Sequence, residues 1–226
     1  NPVISLGHFR EKSFSLSLGS NTIFHGSMLA TMTLVPILVE EGFAKSPIFV
    51  TVVLFPGQFL GLFMPMVAGW VYDQYRPRFL RLWCLILIAG GFSFLSLVAP
   101  SISFWALPVV MLPIAIGTNM FNPVNNATIM NSLPLEHRGV ASGMLETSRE
   151  LGHALGATAI ATLLAMSIPG EIDLLPFEAA RGFFIDGFRQ STLVVAFAMI
   201  LGALLVYFQK APIPKGPTLT TSSQRK

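Results

Sequence analysis

Residues 82–99 read LWCLILIAGGFSFLSLVA, a run of eighteen residues without one charged side chain. A helix needs about 20 predominantly apolar residues to cross the hydrocarbon core of a bilayer. Only a helix or a closed barrel satisfies its backbone hydrogen bonds in lipid. The run therefore predicts a membrane-spanning helix, which we place at residues 79–99.

Five further stretches of the chain have the same character. Together they predict six spans, at residues 15–39, 48–72, 79–99, 102–131, 139–168 and 185–208. We expect an all-α membrane protein whose six transmembrane helices occupy residues 15–208. A lead-in segment (1–14) and a disordered tail rich in Pro, Ser, Thr and Lys (209–226) would flank them. Because residue 1 is not a methionine, we also expect that a segment precedes it.

Composition agrees with this fold class. Of 226 residues, 53% are hydrophobic and 11% are charged, whereas a soluble domain carries about 25% charged residues. The net charge of +3, spread over short loops, argues against a nucleic-acid partner. The single cysteine, Cys84, excludes an internal disulfide. We expect neither a metal nor a cofactor.

The loops predict the orientation in the membrane. Ten Lys and Arg residues, Arg81 among them, fall on the side that carries both termini, against Lys45 and Arg181 on the other side. Positively charged loops stay in the cytoplasm. Both termini are therefore predicted to be cytoplasmic, in a multi-pass protein of the cell membrane. The loop at about 169–184 is expected to lie on the outer membrane surface.

The fifth span carries the charge. Glu146, Arg149, Glu150 and His153 fall within one stripe of a helix. Charges inside a membrane are costly and mark proton or substrate pathways. We interpret the four residues as a proton-coupling group, because one Arg cannot neutralise two glutamates and a histidine. The alternative is a static ion pair that fixes helix packing.

Uncharged polar side chains on other spans are candidates for lining a substrate cavity. They are Asn21 and His25 on the first span, Gln58 on the second, and Asn119, Asn122 and Asn126 on the fourth. Hydrogen bonding between helices is the alternative for these residues. Proline and glycine at 56, 57, 61 and 65 predict a kink in the second span. Gly152 and Gly156 predict a close helix–helix contact.

The stretch Gly69-Trp70-Val71-Tyr72-Asp73-Gln74-Tyr75-Arg76-Pro77-Arg78 resembles a loop motif, Gly-x-x-x-Asp-x-x-Gly-x-Arg, of the major facilitator superfamily. Arg76 stands where the family usually has glycine. The resemblance implies that Gly69, Asp73, Arg76 and Arg78 form a cytoplasmic gate. Residues 139–143 (GVASG) and 149–156 (RELGHALG) look like the penultimate helix of the fourteen-helix drug:proton antiporters.

This resemblance implies that the six helices are the C-terminal half of a transporter. They would form two inverted repeats of three helices and bind a small molecule near the bilayer midplane. Lipid and the N-terminal half of the same protein would be the partners. The expected function is proton-coupled efflux of amphipathic drugs, with protons as the coupling ion.

Two other functions are weighed against efflux. The first is a porter for a metabolite such as an organic acid, sugar or siderophore, in which Arg149 could bind an anionic substrate. The second, remote alternative is an intramembrane serine protease with Ser93 as nucleophile and His153 as base.

Overall fold

The computed structural model describes residues 9–75, 78–169 and 176–209, and within these ranges the chain is helical, with no strand. The α-helices are α1 (Lys12–Ile37), α2 (Ile48–Leu60), α3 (Met64–Tyr75), α4 (Arg78–Val98), α5 (Leu107–Val110), α6 (Leu112–Asn131), α7 (Arg138–Ser167) and α8 (Phe177–Phe208). A π-helix, Leu38–Gly42, continues α1, and 3-10 turns at Phe104–Ala106 and Leu135–His137 precede α5 and α7. The predicted all-α class is confirmed.

The helices pack as one bundle of six long elements. Five of them are long and apolar enough to cross a membrane, at Lys12–Gly42, Ile48–Gln74, Phe79–Val98, Phe104–Asn131 and Phe177–Phe208. The sixth, α7, has 30 residues, which at about 1.5 Å per residue exceeds the bilayer core. Its charged stripe makes it less apolar than the others, but it packs closely along α1 within the same bundle.

Two of the predicted spans are broken. The second span consists of α2 and α3, separated by a turn at residues 61–63. The break follows Gly61 and precedes Pro65, which has no backbone N–H to give to a continuing helix. The fourth span begins with a 3-10 turn and the short α5 before α6. At the predicted kink of the second span, the α-helix is therefore interrupted by a turn, in which the backbone N–H groups of Leu62 and Phe63 donate to the Phe59 and Leu60 oxygens.

The predicted outer loop is shorter than expected. Because α8 begins at Phe177, residues 177–184 are helical instead of forming a surface loop. Arg181 in this first part of α8 donates a hydrogen bond from Nε to the carbonyl oxygen of Gly42, over 2.7 Å. Arg181 thus caps the end of the π-helix, which holds the start of α8 against the end of α1.

Both flanking segments also differ from prediction. The lead-in was expected to extend to residue 14, but α1 already begins at Lys12. The tail was expected to begin at residue 209, but Gln209 is buried in the bundle. Residues 210–226, where a disordered tail is predicted, lie outside the described residues.

Helices α4 and α8 support the bundle from one side. They pack extensively against each other, and the Ser96 hydroxyl donates to the backbone oxygen of Arg189 between them. Their outer surfaces expose large apolar side chains, such as Trp83, Phe94 and Phe197. An exposed apolar surface of this extent suits contact with lipid.

Candidate functional site

The α7 stripe, defined as Glu146, Arg149, Glu150 and His153, lies on a face of the bundle that its own helices leave open. The side chain of Glu146 is 55% exposed and that of Glu150 is 74% exposed. Arg149 Nη1 lies 3.2 Å from Glu146 Oε2, and His153 Nδ1 lies 3.8 Å from Glu150 Oε1. Both pairs are formed within one helix, so neither ion pair joins α7 to a neighbouring helix.

A second face of α7, about 90° from the stripe, packs against α1 through glycines. A methyl group added at Gly156 would meet the backbone of Gly26, with the Cα atom at 2.7 Å. One added at Gly152 would meet the carbonyl oxygen of Thr22. The structure thus places Gly152 and Gly156 where two helix backbones touch, which only a residue without a side chain allows.

A buried polar network at one end of the bundle was not predicted. We call this end the basic end, because Lys12, Arg78 and Arg138 begin α1, α4 and α7 there. The network is centred on Arg81 of α4, which is 1% exposed. Its guanidinium donates to Ser17 Oγ (3.1 Å), to Asn125 Oδ1 (3.0 Å) and to Gln209 Oε1.

Gln209 and two residues of α1 close the network. The Gln209 amide donates to the Ser13 and Ser17 hydroxyls and to the Ser13 carbonyl oxygen, each over 2.7 Å. The guanidinium thus joins the beginning of α1, the middle of α6 and the residue after α8. The prediction that Arg81 is a loop charge is wrong, since its side chain lies inside the bundle. The one sign in the sequence that Arg81 is buried was its position, three residues after the start of α4 and directly before the uncharged run 82–99.

Asn21 extends the network to α7. Its amide nitrogen donates to Ser148 Oγ over 2.8 Å, and its oxygen accepts from Asn125 Nδ2 over 3.2 Å. Asn21 and Asn125 are 0% exposed. In this conformation Asn21 does not line a cavity, and its contacts agree with the alternative of hydrogen bonding between helices. We refer to the seven residues together as the Arg81 network: Ser13, Ser17, Asn21, Arg81, Asn125, Ser148 and Gln209.

A cavity of about 140 Å³ lies between α1, α2, α4, α5 and α6. Two of the six predicted cavity residues, Gln58 and Asn119, line it. Asn119 also donates to the Gly57 carbonyl oxygen over 3.2 Å, which ties α6 to α2. Four methionines contribute to the wall: Met28, Met32, Met111 and Met199. None of the described residues that line this cavity is charged.

The remaining three candidates lie elsewhere. Asn122 and Asn126 are half-buried on α6, and neither amide oxygen has a hydrogen-bond partner among the described residues. His25 is buried, with its ring against that of His153 at a centroid separation of 5.2 Å. These three residues do not line the described cavity, and the structure brings His25 to the α7 stripe instead.

The gate motif is described only in part. Gly69 and Asp73 lie on α3, and Asp73 is exposed. A methyl group at Gly69 would meet nothing within 4 Å, so this surface is open to another helix. Arg76 and the side chain of Arg78 lie outside the described residues.

The profile of one protein family, the Major Facilitator Superfamily, matches residues 2–157. The chain belongs to the Major Facilitator Superfamily. The matched range includes the gate motif, the cavity-forming helices and the whole α7 stripe. The six-helix bundle fits one half of a major facilitator fold, and the protein is a multi-pass membrane protein.

Curated relatives within the superfamily are transporters by name. An uncharacterized transporter of Escherichia coli, YebQ, is 28% identical over 72% of this chain and 36% of its own length. A multidrug efflux pump of Mycolicibacterium smegmatis, LfrA, is 21% identical over 76% of this chain and 34% of its own length. A riboflavin transporter of Clostridioides difficile, RibZ, is 21% identical over 91% of this chain and 44% of its own length. The chain thus spans less than half the length of these superfamily members.

Proposed function

We propose that the complete protein is a secondary active transporter of the cell membrane that exports amphipathic compounds in exchange for protons. The observation that carries this proposal is the α7 stripe. Two carboxylates, an arginine and a histidine lie together in the first half and at the middle of α7, on a face that the bundle leaves open. A carboxylate that water reaches in one conformation and that is enclosed in the next can gain and lose a proton in each cycle.

The cavity supports the substrate class. Its wall is apolar and rich in methionine, with the amides of Gln58 and Asn119 as polar groups. Methionine side chains adapt to ligands of different shape. Such a wall suits the apolar part of an amphipathic molecule, and the carboxylates of the α7 stripe suit a positive charge elsewhere on it. LfrA, which is named as a multidrug efflux pump, gives independent support.

A second bundle is part of this proposal. Ile48–Gln74 comprises α2 and α3. Only 6% of the most apolar 18 residues in this range are buried inside the bundle. The exposed face of α7 carries charges that lipid would not accept. We infer that another six-helix bundle of the same protein covers these two faces and that the substrate pathway runs between the bundles. The gate motif on α3 would then close that pathway on the cytoplasmic side.

The proton-coupling role is tested by neutral variants of the two carboxylates. Glu146→Gln and Glu150→Gln keep side-chain size and remove the exchangeable proton. In the complete protein, each variant is expected to lower pH-driven uptake of ethidium into inverted membrane vesicles by about a hundredfold or more.

Glu178→Gln is the matched control for these variants. Glu178 is an exposed carboxylate near an arginine on α8, outside the stripe, and its variant is expected to transport like the wild type. Full ethidium resistance of cells that carry the double variant Glu146→Gln/Glu150→Gln would contradict proton coupling through α7.

A metabolite porter is the second candidate function. RibZ is named as a riboflavin transporter, and Arg149 could bind an anionic group. Vesicles that accumulate riboflavin or a small organic acid but not ethidium would favour this candidate. The names of the reported relatives describe transporters, which gives no support to a serine protease built on Ser93 and His153.

A further inference from the structure

His25 of α1 is a buried polar side chain without a partner. It is 4% exposed, and neither ring nitrogen has a hydrogen-bond partner among the described residues. Buried polar atoms in native proteins are nearly always paired. Asn21, one turn earlier on the same helix, follows this rule with bonds to Ser148 and Asn125. The exception at His25 therefore needs a functional explanation.

The surroundings of His25 combine aromatic rings with the α7 stripe. The ring stands edge-to-face against His153, with centroids 5.2 Å apart and planes at 84°, and against Phe24 at 5.1 Å and 81°. From α6 the packing is aromatic, since Phe121 lies 4.6 Å from Phe24. From α8, Gly202 faces the neighbouring Ile23.

Among the residues that the structure describes, the charged and titratable groups that face His25 are on α7. They are Arg149 and His153, and beyond them Glu150 lies 3.8 Å from His153 Nδ1. Glu150 is exposed, His153 is half-exposed and His25 is buried. The three side chains thus form a series that leads from the open face of the bundle into the contact between α1 and α7.

We propose that His25 is the inner acceptor of the coupled proton, which reaches it from Glu150 through His153. The inference rests on the proposed proton-coupled transport and adds a residue on a second helix to it. In the first step, the O–H bond of protonated Glu150 breaks and an N–H bond forms on His153. In the second step, an N–H bond of the resulting imidazolium breaks and an N–H bond forms on the ring nitrogen of neutral His25 that carries no proton. His153 returns to its neutral form, and no electrons are transferred.

The packing around His25 explains how this proton would move a helix. Gly26 lies against Gly156, and Thr22 lies against Gly152, so the backbones of α1 and α7 touch on both sides of His25. A positive charge on His25 would face the positive charge of Arg149 across this contact. Because the two backbones touch, this repulsion is relieved only if the Arg149 side chain moves toward Glu146 and the open face or if the helices separate. Protonation of His25 therefore favours a conformation in which α1 and α7 separate, which couples proton uptake to the transport cycle.

The first test asks whether His25 takes up a proton. The complete protein, labelled with ¹⁵N-histidine, is titrated by NMR in lipid nanodiscs, with the His25 signal assigned through His25→Phe. We expect the signal to change from imidazolium to neutral imidazole within about pH 3–8, and His153→Phe to move that midpoint. A His25 ring that stays neutral over this whole range, or whose midpoint ignores His153→Phe, would overturn the proposal.

The second test asks whether the proton on His25 drives transport. His25→Phe keeps an aromatic ring against Phe24 and His153 but cannot carry a proton. In proteoliposomes, we expect this variant to transport ethidium at least about tenfold more slowly than wild type when a pH gradient drives transport. Ethidium exchange without a gradient should stay within about threefold of the wild-type rate. His137→Phe, a change in the turn before α7, is the matched control and should leave both activities unchanged.

The outcomes separate the possible roles of His25. Gradient-driven transport of His25→Phe at the wild-type level overturns the proposal, and so does an equal loss of both activities, which a packing role would produce. If wild-type protein shows no transport driven by a pH gradient, the proposed function fails instead. The NMR titration still decides in that case whether His25 and His153 share a proton.

Discussion

The Arg81 network and the α7 stripe are two polar clusters in one apolar bundle, and they are built in opposite ways. The seven residues of the network are at most 6% exposed, and they belong to α1, α4, α6, α7 and the residue after α8. The four residues of the stripe belong to one helix, and the exposed fractions of their side chains range from 29% to 74%. The network connects helices, whereas the stripe presents charge to the outside of the bundle.

The difference follows from the partners available to each cluster. Burying a polar group is tolerated when it is hydrogen-bonded, and both terminal nitrogens of the Arg81 guanidinium donate to neutral oxygens of three other parts of the chain. Exposed ion pairs add little to stability, but they can exchange protons with their surroundings. The network therefore serves stability, and the stripe is suited to a change of protonation.

The largest effect on stability is expected at the centre of the network. Arg81→Ala removes three hydrogen bonds and leaves buried oxygens of Asn125, Ser17 and Gln209 without this donor. We expect the free energy of unfolding to fall by about 3 kcal/mol. The measurement is SDS-induced unfolding of the complete protein in mixed micelles. Arg138→Ala, an exposed arginine at the same end of the bundle, is the control, and equal stability of the two variants would refute a structural role for the network.

An intermediate effect is expected where α1 and α7 touch. In Gly156→Ala the new Cβ would meet the backbone of Gly26, which cannot move aside as a side chain could. We expect a loss of about 2 kcal/mol, because overpacking forces the two helices apart. Gly143→Ala is the matched control on the same helix, since nothing lies within 4 Å of its added methyl group. The midpoints of thermal unfolding of the two variants are compared. Equal midpoints would show that α1 and α7 can move apart at no cost in stability.

The smallest effect on stability is expected in the stripe. Glu146→Gln breaks the pair with Arg149, but the Glu146 side chain is 55% exposed. We expect the free energy of unfolding to change by less than about 0.5 kcal/mol, although transport is lost. A loss of stability as large as that of Arg81→Ala in the same SDS titration would show that the ion pair is structural, and it would erase the distinction between the two clusters.

Much of the fold was predictable because membrane helices must be long and apolar. The span predicted at 139–168 corresponds to α7 within one residue at each end, and residues 79–99 correspond to α4. Errors arose where polar residues continue a helix or enter the bundle. Phe177–Asp186 of α8 carries charges that are typical of a loop, and Gln209 follows the last apolar run yet packs against Ser13.

The candidate site was predictable only along single helices. Spacing placed Glu146, Arg149, Glu150 and His153 on one stripe of α7, because the angle between residues of a helix is fixed. Spacing could not show that His25 lies beside His153, that Asn21 bonds to Ser148, or that Gln58 and Asn119 share a cavity. Each of these pairs joins residues of different helices, whose relative rotation is set by packing.

The sequence by itself determined the helical class, the positions of most spans and the charged stripe of α7, because hydrophobicity and helical periodicity are local properties. Only the tertiary structure decided which polar groups are buried with partners and which face outward. Arg81 and Arg149 both lie near apolar runs. The whole Arg81 residue is only 1% exposed, whereas the side chain of Arg149 is 29% exposed. Their difference depends on which residues neighbouring helices bring to them, and that is fixed only when the helices pack.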